Sequence, residues 1–134
     1  MVSQVFYVSS SVFDSGNPID KDILREARKN NSRLGLTGCL FRSKHYYAQL
    51  LEGPEESVER VMRRIRRDIR HFDIVQWPIT QAPVRTFTDW DMGHAIQEAA
   101  DYQLKAIGQA KARPIREISE NLKLLFEANF EHSP

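Results

Sequence analysis

A chain of 134 residues with 41% hydrophobic and 28% charged residues has the size and composition of one globular domain with a genuine core. Its net charge of +1 excludes a globally basic nucleic-acid binder and a globally acidic protein, so any basic patch is local and nucleic acid is not the expected partner. The single cysteine, Cys39, excludes an internal disulfide framework and a multi-cysteine metal site; no apolar run approaches a membrane span, and "MVSQVFYVSS" lacks the basic start and long apolar core of a signal peptide, which makes a cytoplasmic protein the default expectation.

"QVFYVS" (Gln4 to Ser9) is β-branched and aromatic and reads as the first strand, with Val5, Tyr7 and Ser9 on one face and Phe6 and Val8 on the other. After the turn residues of "SVFDSGNP", Asp20 is positioned to cap a helix whose stripe is Ile23, Leu24 and Ala27. Asn30 and Asn31 fall under Ile23 and Leu24 at a spacing of seven, so either an amide faces the core or the pair ends the helix before Gly35. "LGLTGCLF" and "HYYAQLLE" read as the second and third strands, joined as a hairpin through "RSK". Pro54 suits a helix start, and Val58, Val61, Met62, Ile65 and Ile69 give that helix a narrow apolar stripe. "DIVQWPIT" is the fourth strand, with Pro78 marking an edge or a bulge, and "VRTFTDWDM" is the fifth. "HAIQEAADYQLKAI" and "IREISENLKLLFEANF" read as two helices around the turn "GQAKARP".

The order is βαββαββ followed by a helical pair. It implies an α+β fold with the first two helices on one face of a sheet. The strands are apolar on both faces, so the C-terminal helices are expected to cover the back. The organisation is a core over residues 1–93 and a C-terminal extension over 94–134 within the same domain.

Gln49 is the residue out of place. It shares a strand face with Tyr47 and Leu51, and a buried amide left unpaired costs about 1–3 kcal/mol. Tyr7, pointing to the same helix-covered side, is one possible partner. That pair either orders a core or lines a ligand slot with Asn30, Asn31, Arg64 and Asp68. Arg64 and Asp68, four apart at one flank of the apolar stripe, are either a helix ion pair or a donor and acceptor for a planar heterocycle. Arg60, Arg63, Arg67 and Arg70 face away from the stripe and read as solvated surface.

"FYVSS", "ARKNNSRLGLTGCLF", "YYAQLLEGPEESVERV", "IRRDIRH" and "RTFTDWDMG" resemble, in order, the successive signatures of the BLUF domain, the blue-light sensor using FAD. Each piece is modest alone; all of them in register between Val2 and Gly93 are specific. The departures are Leu36, where Ile is frequent, and Tyr46 and Tyr47, where Phe is common. The resemblance implies a ferredoxin-like fold with FAD between the two helices. It implies that Tyr7 is the photoactive tyrosine and Gln49 the switching glutamine. It matches Asn31, with Asn30 beside it, Ile23, Arg64, Asp68, Arg70 and His71 to flavin contacts, and Trp90 and Met92 to the output-linked pair. No residue is matched to a metal. FMN or riboflavin would be substitutes for FAD, because the adenosine and phosphates extend toward solvent. The implied function is a non-enzymatic photoreceptor. Light drives electron and proton transfer from Tyr7, rearranges the hydrogen bonds of Gln49, and passes the signal to a separate protein partner or a second copy of the chain in a homo-oligomer. The alternatives are a flavin-free ferredoxin-like interaction module and a small acyl-phosphate hydrolase; the latter needs an arginine in its phosphate loop, and "YVSSSVFDSGNP" has none.

Overall fold

The computed structural model describes residues 1–87 and 93–109. Within them the order is β1 (Val2–Ser11), α1 (Ile19–Leu34), β2 (Thr37–Arg42), β3 (Tyr46–Gly53), α2 (Glu55–Arg67), β4 (His71–Gln76), β5 (Thr80–Ala82), β6 (Gly93–Ile96), a 3₁₀ turn (Glu98–Ala100) and α3 (Asp101–Gln109). The sheet runs β4-β1-β3-β2-β6, with β5 also pairing β1. β1 is antiparallel to β3 and β4, β2 and β3 form the expected hairpin, and β6 lies parallel to β2. This is the ferredoxin-like arrangement β4-β1-β3-β2, with β6 added beside β2 and the short β5 beside β1.

Strand alternation divides the core in two. Val5, Tyr7, Leu40, Tyr47 and Leu51 point to α1 and α2, meeting Leu24, Val58, Val61 and Met62. Phe6, Val8, Cys39, Phe41, Ala48 and Leu50 point the other way, against Trp77, Phe87, Leu104 and Ile107. The back of the sheet is thus covered by α3, as its apolar strand residues require. The second helix of the expected C-terminal pair lies outside the described residues.

Local chemistry sets the element ends. Gly35 takes a left-handed conformation (φ 71°) and its N–H bonds to the Asn31 carbonyl, which closes α1 as only glycine does readily. At Gly53 a side chain would collide with Leu36 Cδ2 and the Gly35 carbonyl, 2.7 and 2.8 Å from the position of its Cβ. The fourth strand expected across Pro78 is divided into β4 and β5, both on β1, and β4 is an edge strand. The β1–β4 ladder shifts register between Val8 and Ser10, where Asp73 has a positive φ of 49°: a bulge that lets the edge strand bend.

Four expectations change. Asp20 does not cap α1; Asn17 Oδ1 accepts the Ile19 N–H at 3.0 Å, and Asp20 turns inward to Tyr47 and Arg42. α2 ends at Arg67, so Ile69 leaves the apolar stripe and is 89% exposed. No strand forms over Val84–Phe87, and Thr88–Met92 lie outside the described residues. The stretch expected to be helical from His94 instead begins as β6, and helix starts at Asp101. A short apolar run such as "GHAI" has no decisive period, and an open edge of β2 favoured strand.

Candidate functional site

Between α1, α2 and the sheet lies a cavity of about 230 Å³. Its wall includes Tyr7, Ile23, Asn30, Asn31, Gln49, Arg64, Asp68, Arg70 and His71, every cofactor-contact residue the sequence singled out. It also includes Glu26, Ala27, Leu40, Tyr47, Val61 and Ile65, which the sequence reading did not assign to the site. Tyr47 was findable as the residue two before Gln49 on the same strand face, and Glu26 as the residue one turn before Asn30. Trp90 and Met92 lie outside the described residues.

Tyr7 and Gln49 are directly opposite on β1 and β3. The Tyr7 hydroxyl donates to Gln49 Oε1 at 2.5 Å. The carboxamide nitrogen is therefore the donor end of Gln49. Burial, and then the nearby Tyr47 and Asp68, push the Tyr7 phenol well above its ordinary pKa, so it remains a protonated donor. Asn31 is 1% exposed and Asn30 half-buried; the amide at the buried position faces inward, which resolves the ambiguity left by the spacing.

The second helix supplies a different geometry from a helical Arg64–Asp68 pair. Asp68 is already extended (φ −74°, ψ 119°), one residue past α2. It accepts from Arg70 through Nε at 2.8 and 3.0 Å, through Nη2 at 2.5 Å and through the backbone N–H at 2.9 Å. Burial would raise the pKa of Asp68; the Arg70 hydrogen bonds and the Arg70 and His71 charges outweigh it and hold the carboxyl below its ordinary range. Arg70 also reaches Glu26 on α1 at 2.8 Å, so it ties the segment that follows α2 to α1 and is more than a surface charge. His71 Nε2 lies 2.7 Å from the Ile65 carbonyl and Nδ1 2.7 Å from Ser9 Oγ. A carbonyl only accepts, so Nε2 carries the proton and, in the neutral ring, Nδ1 accepts from Ser9.

The donor set suits a flavin ring. Ile23, Ala27, Leu40, Val61 and Ile65 offer apolar surface to the faces of a planar ring. The amides of Asn30, Asn31 and Gln49, with Asp68 and Arg64, offer the mixed donors and acceptors that a pyrimidine edge of alternating C=O and N–H groups needs. At about 230 Å³ the cavity is small for a ligand site, a size suited to a single ring system.

Beyond the cavity, Glu52 is fully buried three residues along β3 from Gln49. Its carboxylate accepts the backbone N–H groups of Thr86 and Phe87, both at 2.7 Å, and the Gln4 amide at 2.6 Å. Arg85 donates to the carbonyls of Gly35 and Glu52 at 2.9 and 3.1 Å and to Thr37 Oγ1 at 2.8 Å. The segment that leads to Trp90 is thereby clasped to the strand that carries Gln49.

The BLUF family model, "Sensors of blue-light using FAD", matches residues 2–93. The chain is 36% identical over 89 residues to the blue light- and temperature-regulated antirepressor BluF of Escherichia coli K12, covering 65% of this chain and 21% of that protein. It is 31% identical over 77 residues to the photoactivated adenylate cyclase subunit beta of Euglena longa, covering 57% of this chain and 9% of that one. The chain thus spans about a fifth or less of the length of these curated relatives. Among solved structures, the dark state of BlrB, a BLUF protein, superposes with a TM-score of 0.73 at 25% identity over 90% of this chain and 94% of that one. The match in sequence covers most of the chain and the match in structure covers nearly all of it: the chain belongs to the BLUF family of blue-light sensors.

Proposed function

We propose that this chain holds FAD non-covalently in the cavity between α1 and α2 and reports blue light through Tyr7 and Gln49 to a separate protein. The observation that carries this reading is the Tyr7–Gln49 hydrogen bond in a cavity rimmed by amides and Asp68. When bound, the flavin supplies absorption of blue light and a strong one-electron oxidant in its excited state. Ile23, Ala27 and Ile65 hold the ring by apolar contact and keep water from its faces. Asn30, Asn31, Arg64 and Asp68 fix its polar edge, and Arg70 and His71 hold Asp68 and the end of α2 in position. Tyr7 gives up an electron and then the proton it shares with Gln49. Gln49 passes the proton on, the electron and proton then return to Tyr7, and the Gln49 hydrogen bonds are left rearranged, because its amide has both a donor and an acceptor end.

The small volume of the cavity supports FMN or riboflavin as substitutes, since a dinucleotide tail would extend beyond it. Residues 1–93 form the photosensory core. Residues 94–134 form an extension of the same domain, a reading supported by Leu104 and Ile107 of α3 packing on the back of the sheet. The output is a change of contact with a partner and not turnover of a substrate. The route runs from Gln49 through β3 and the Glu52 clasp toward Trp90 and Met92.

An absorption spectrum of the purified protein before and after blue light tests the reading. A yellow protein whose flavin bands shift to the red and relax in the dark is the expected result. A protein that stays colourless after reconstitution with FAD is instead a flavin-free interaction module.

A further inference from the structure

The geometry points to Tyr47 as a second photo-oxidisable residue of the same cavity, one whose proton goes to Asp20 and whose oxidation bypasses Gln49. This rests on the flavin reading above. Tyr47 is 3% exposed, lines the cavity with Tyr7, and both rings stack edge-on against His71, with centroids 5.9 Å (Tyr7) and 6.5 Å (Tyr47) from it. The two phenols differ in what they bond to. Tyr7 donates to a carboxamide oxygen, a far weaker base than a carboxylate and one that serves only as a relay. Tyr47 donates to Asp20 Oδ1 at 2.6 Å, and a carboxylate is a competent base at hydrogen-bond distance. In the dark the proton stays on the phenol, because burial and then the bond to Asp20 push the Tyr47 pKa up to about 12. An oxidised phenol is a strong acid, so the same bond then runs downhill.

The step balances within this chain and one oxidant. One electron leaves the Tyr47 ring for the photoexcited flavin. The Tyr47 O–H bond breaks and an O–H bond forms on Asp20, which leaves a neutral tyrosyl radical and a protonated carboxyl. Arg42 sets the sequel. Its side chain is fully buried, pairs with Asp20 at 3.2 Å, and lies 4.3 Å from the centre of the Tyr47 ring. Its Nη2 donates to the Phe13 carbonyl at 2.7 Å, while Nη1 is buried with no hydrogen-bond partner among the described residues. The cation disfavours positive charge on the ring, so the proton leaves with the electron. Protonating Asp20 then strips a buried guanidinium of its counter-charge, which drives the proton back. The electron returns, Gln49 has not moved, and the photon is wasted. Tyr47 therefore lowers the yield of the switch.

The test uses the flavin-loaded full chain with Tyr7 and Trp90 both changed to Phe, so that neither can quench. Flavin fluorescence in that background should be short-lived, slower to quench in D₂O, and severalfold longer-lived once Tyr47→Phe is added. Asp20→Asn, which keeps the ring but removes the base, should lengthen it also. With Tyr7 intact, Tyr47→Phe should raise the quantum yield of the red-shifted product. Independently of light, the downfield hydroxyl proton of a Tyr47–carboxylate hydrogen bond should appear in the NMR spectrum and vanish in both variants. A lifetime unchanged by Tyr47→Phe in the doubly substituted background would overturn the inference while leaving the Tyr7–Gln49 switch intact. A chain that binds no flavin would overturn both.

Discussion

Tyr7 and Gln49 occupy paired positions in the β1–β3 ladder, and the hydroxyl of one reaches the amide oxygen of the other at 2.5 Å. β1 and β3 are interior strands, hydrogen-bonded on both sides. Slipping their register would turn buried side chains to the wrong face. A switch at this pair must therefore act through the side chains, with the backbone ladder as its fixed frame.

Tyr7→Phe and Gln49→Leu should each keep bound flavin and lose the normal red-shifted product. Phe retains the ring without the hydroxyl proton; Leu retains the approximate volume without either amide end. Magnitudes constrain the switched state. A hydrogen bond is worth about 4–6 kcal/mol even in an apolar medium, whereas a state lasting on the order of ten seconds needs a barrier of roughly 18–19 kcal/mol. A product that long-lived requires Gln49 to change more than one bond, by tautomerisation or by rotation. A reversible, normal red shift in Gln49→Leu would overturn this mechanism.

Asn31→Ala or Asp68→Ala should weaken flavin retention by about 1–3 kcal/mol, up to a hundredfold in affinity, measured by equilibrium dialysis. The Asp68 carboxyl is held below its ordinary range. Its contribution is therefore fully present above the unfolded-chain value of about 3.9 and is lost only as pH falls through the depressed folded value. Flavin release attributable to Asp68 should therefore begin only as pH falls below the ordinary carboxylate range toward that depressed value. Unchanged affinity in both variants would refute this placement of the slot.

Glu52→Gln replaces an acceptor-only group with one whose NH₂ end faces the Thr86 or Phe87 N–H. We expect amide hydrogen exchange at Thr86 and Phe87 to accelerate and dark recovery or partner response to change, with the red shift itself preserved. Exchange at those two amides as slow as in the parent chain would remove Glu52 from the output route.

Self-association is expected, because Tyr102 on α3, Phe72 on β4 and Val84 are 82%, 50% and 71% exposed. Light scattering at high concentration should report a species heavier than the 15.6 kDa chain. A monomer in both dark and light would count against it.

The features legible before folding are those set by periodicity or by residue type. Alternation in "QVFYVS" and "HYYAQLLE" assigned Tyr7 and Gln49 to one face, whereas the seven-residue spacing of Ile23, Leu24, Asn30 and Asn31 left open whether those amides face the sheet, and the fold decided it by burying Asn31. Features that depend on contacts distant in the chain emerged with the fold. Asp20 carries a helix-cap signal, yet a buried guanidinium 22 residues away and the Tyr47 hydroxyl claim its carboxylate. Asp68 continues the helical spacing of Arg64, yet Arg70 draws it out of the helix. The run at His94 became strand because β2 presented an open edge. Local sequence fixes which face a side chain can occupy, but a charge or an unpaired edge takes the partner that desolvation makes most favourable, and that partner is known only when the chain has folded.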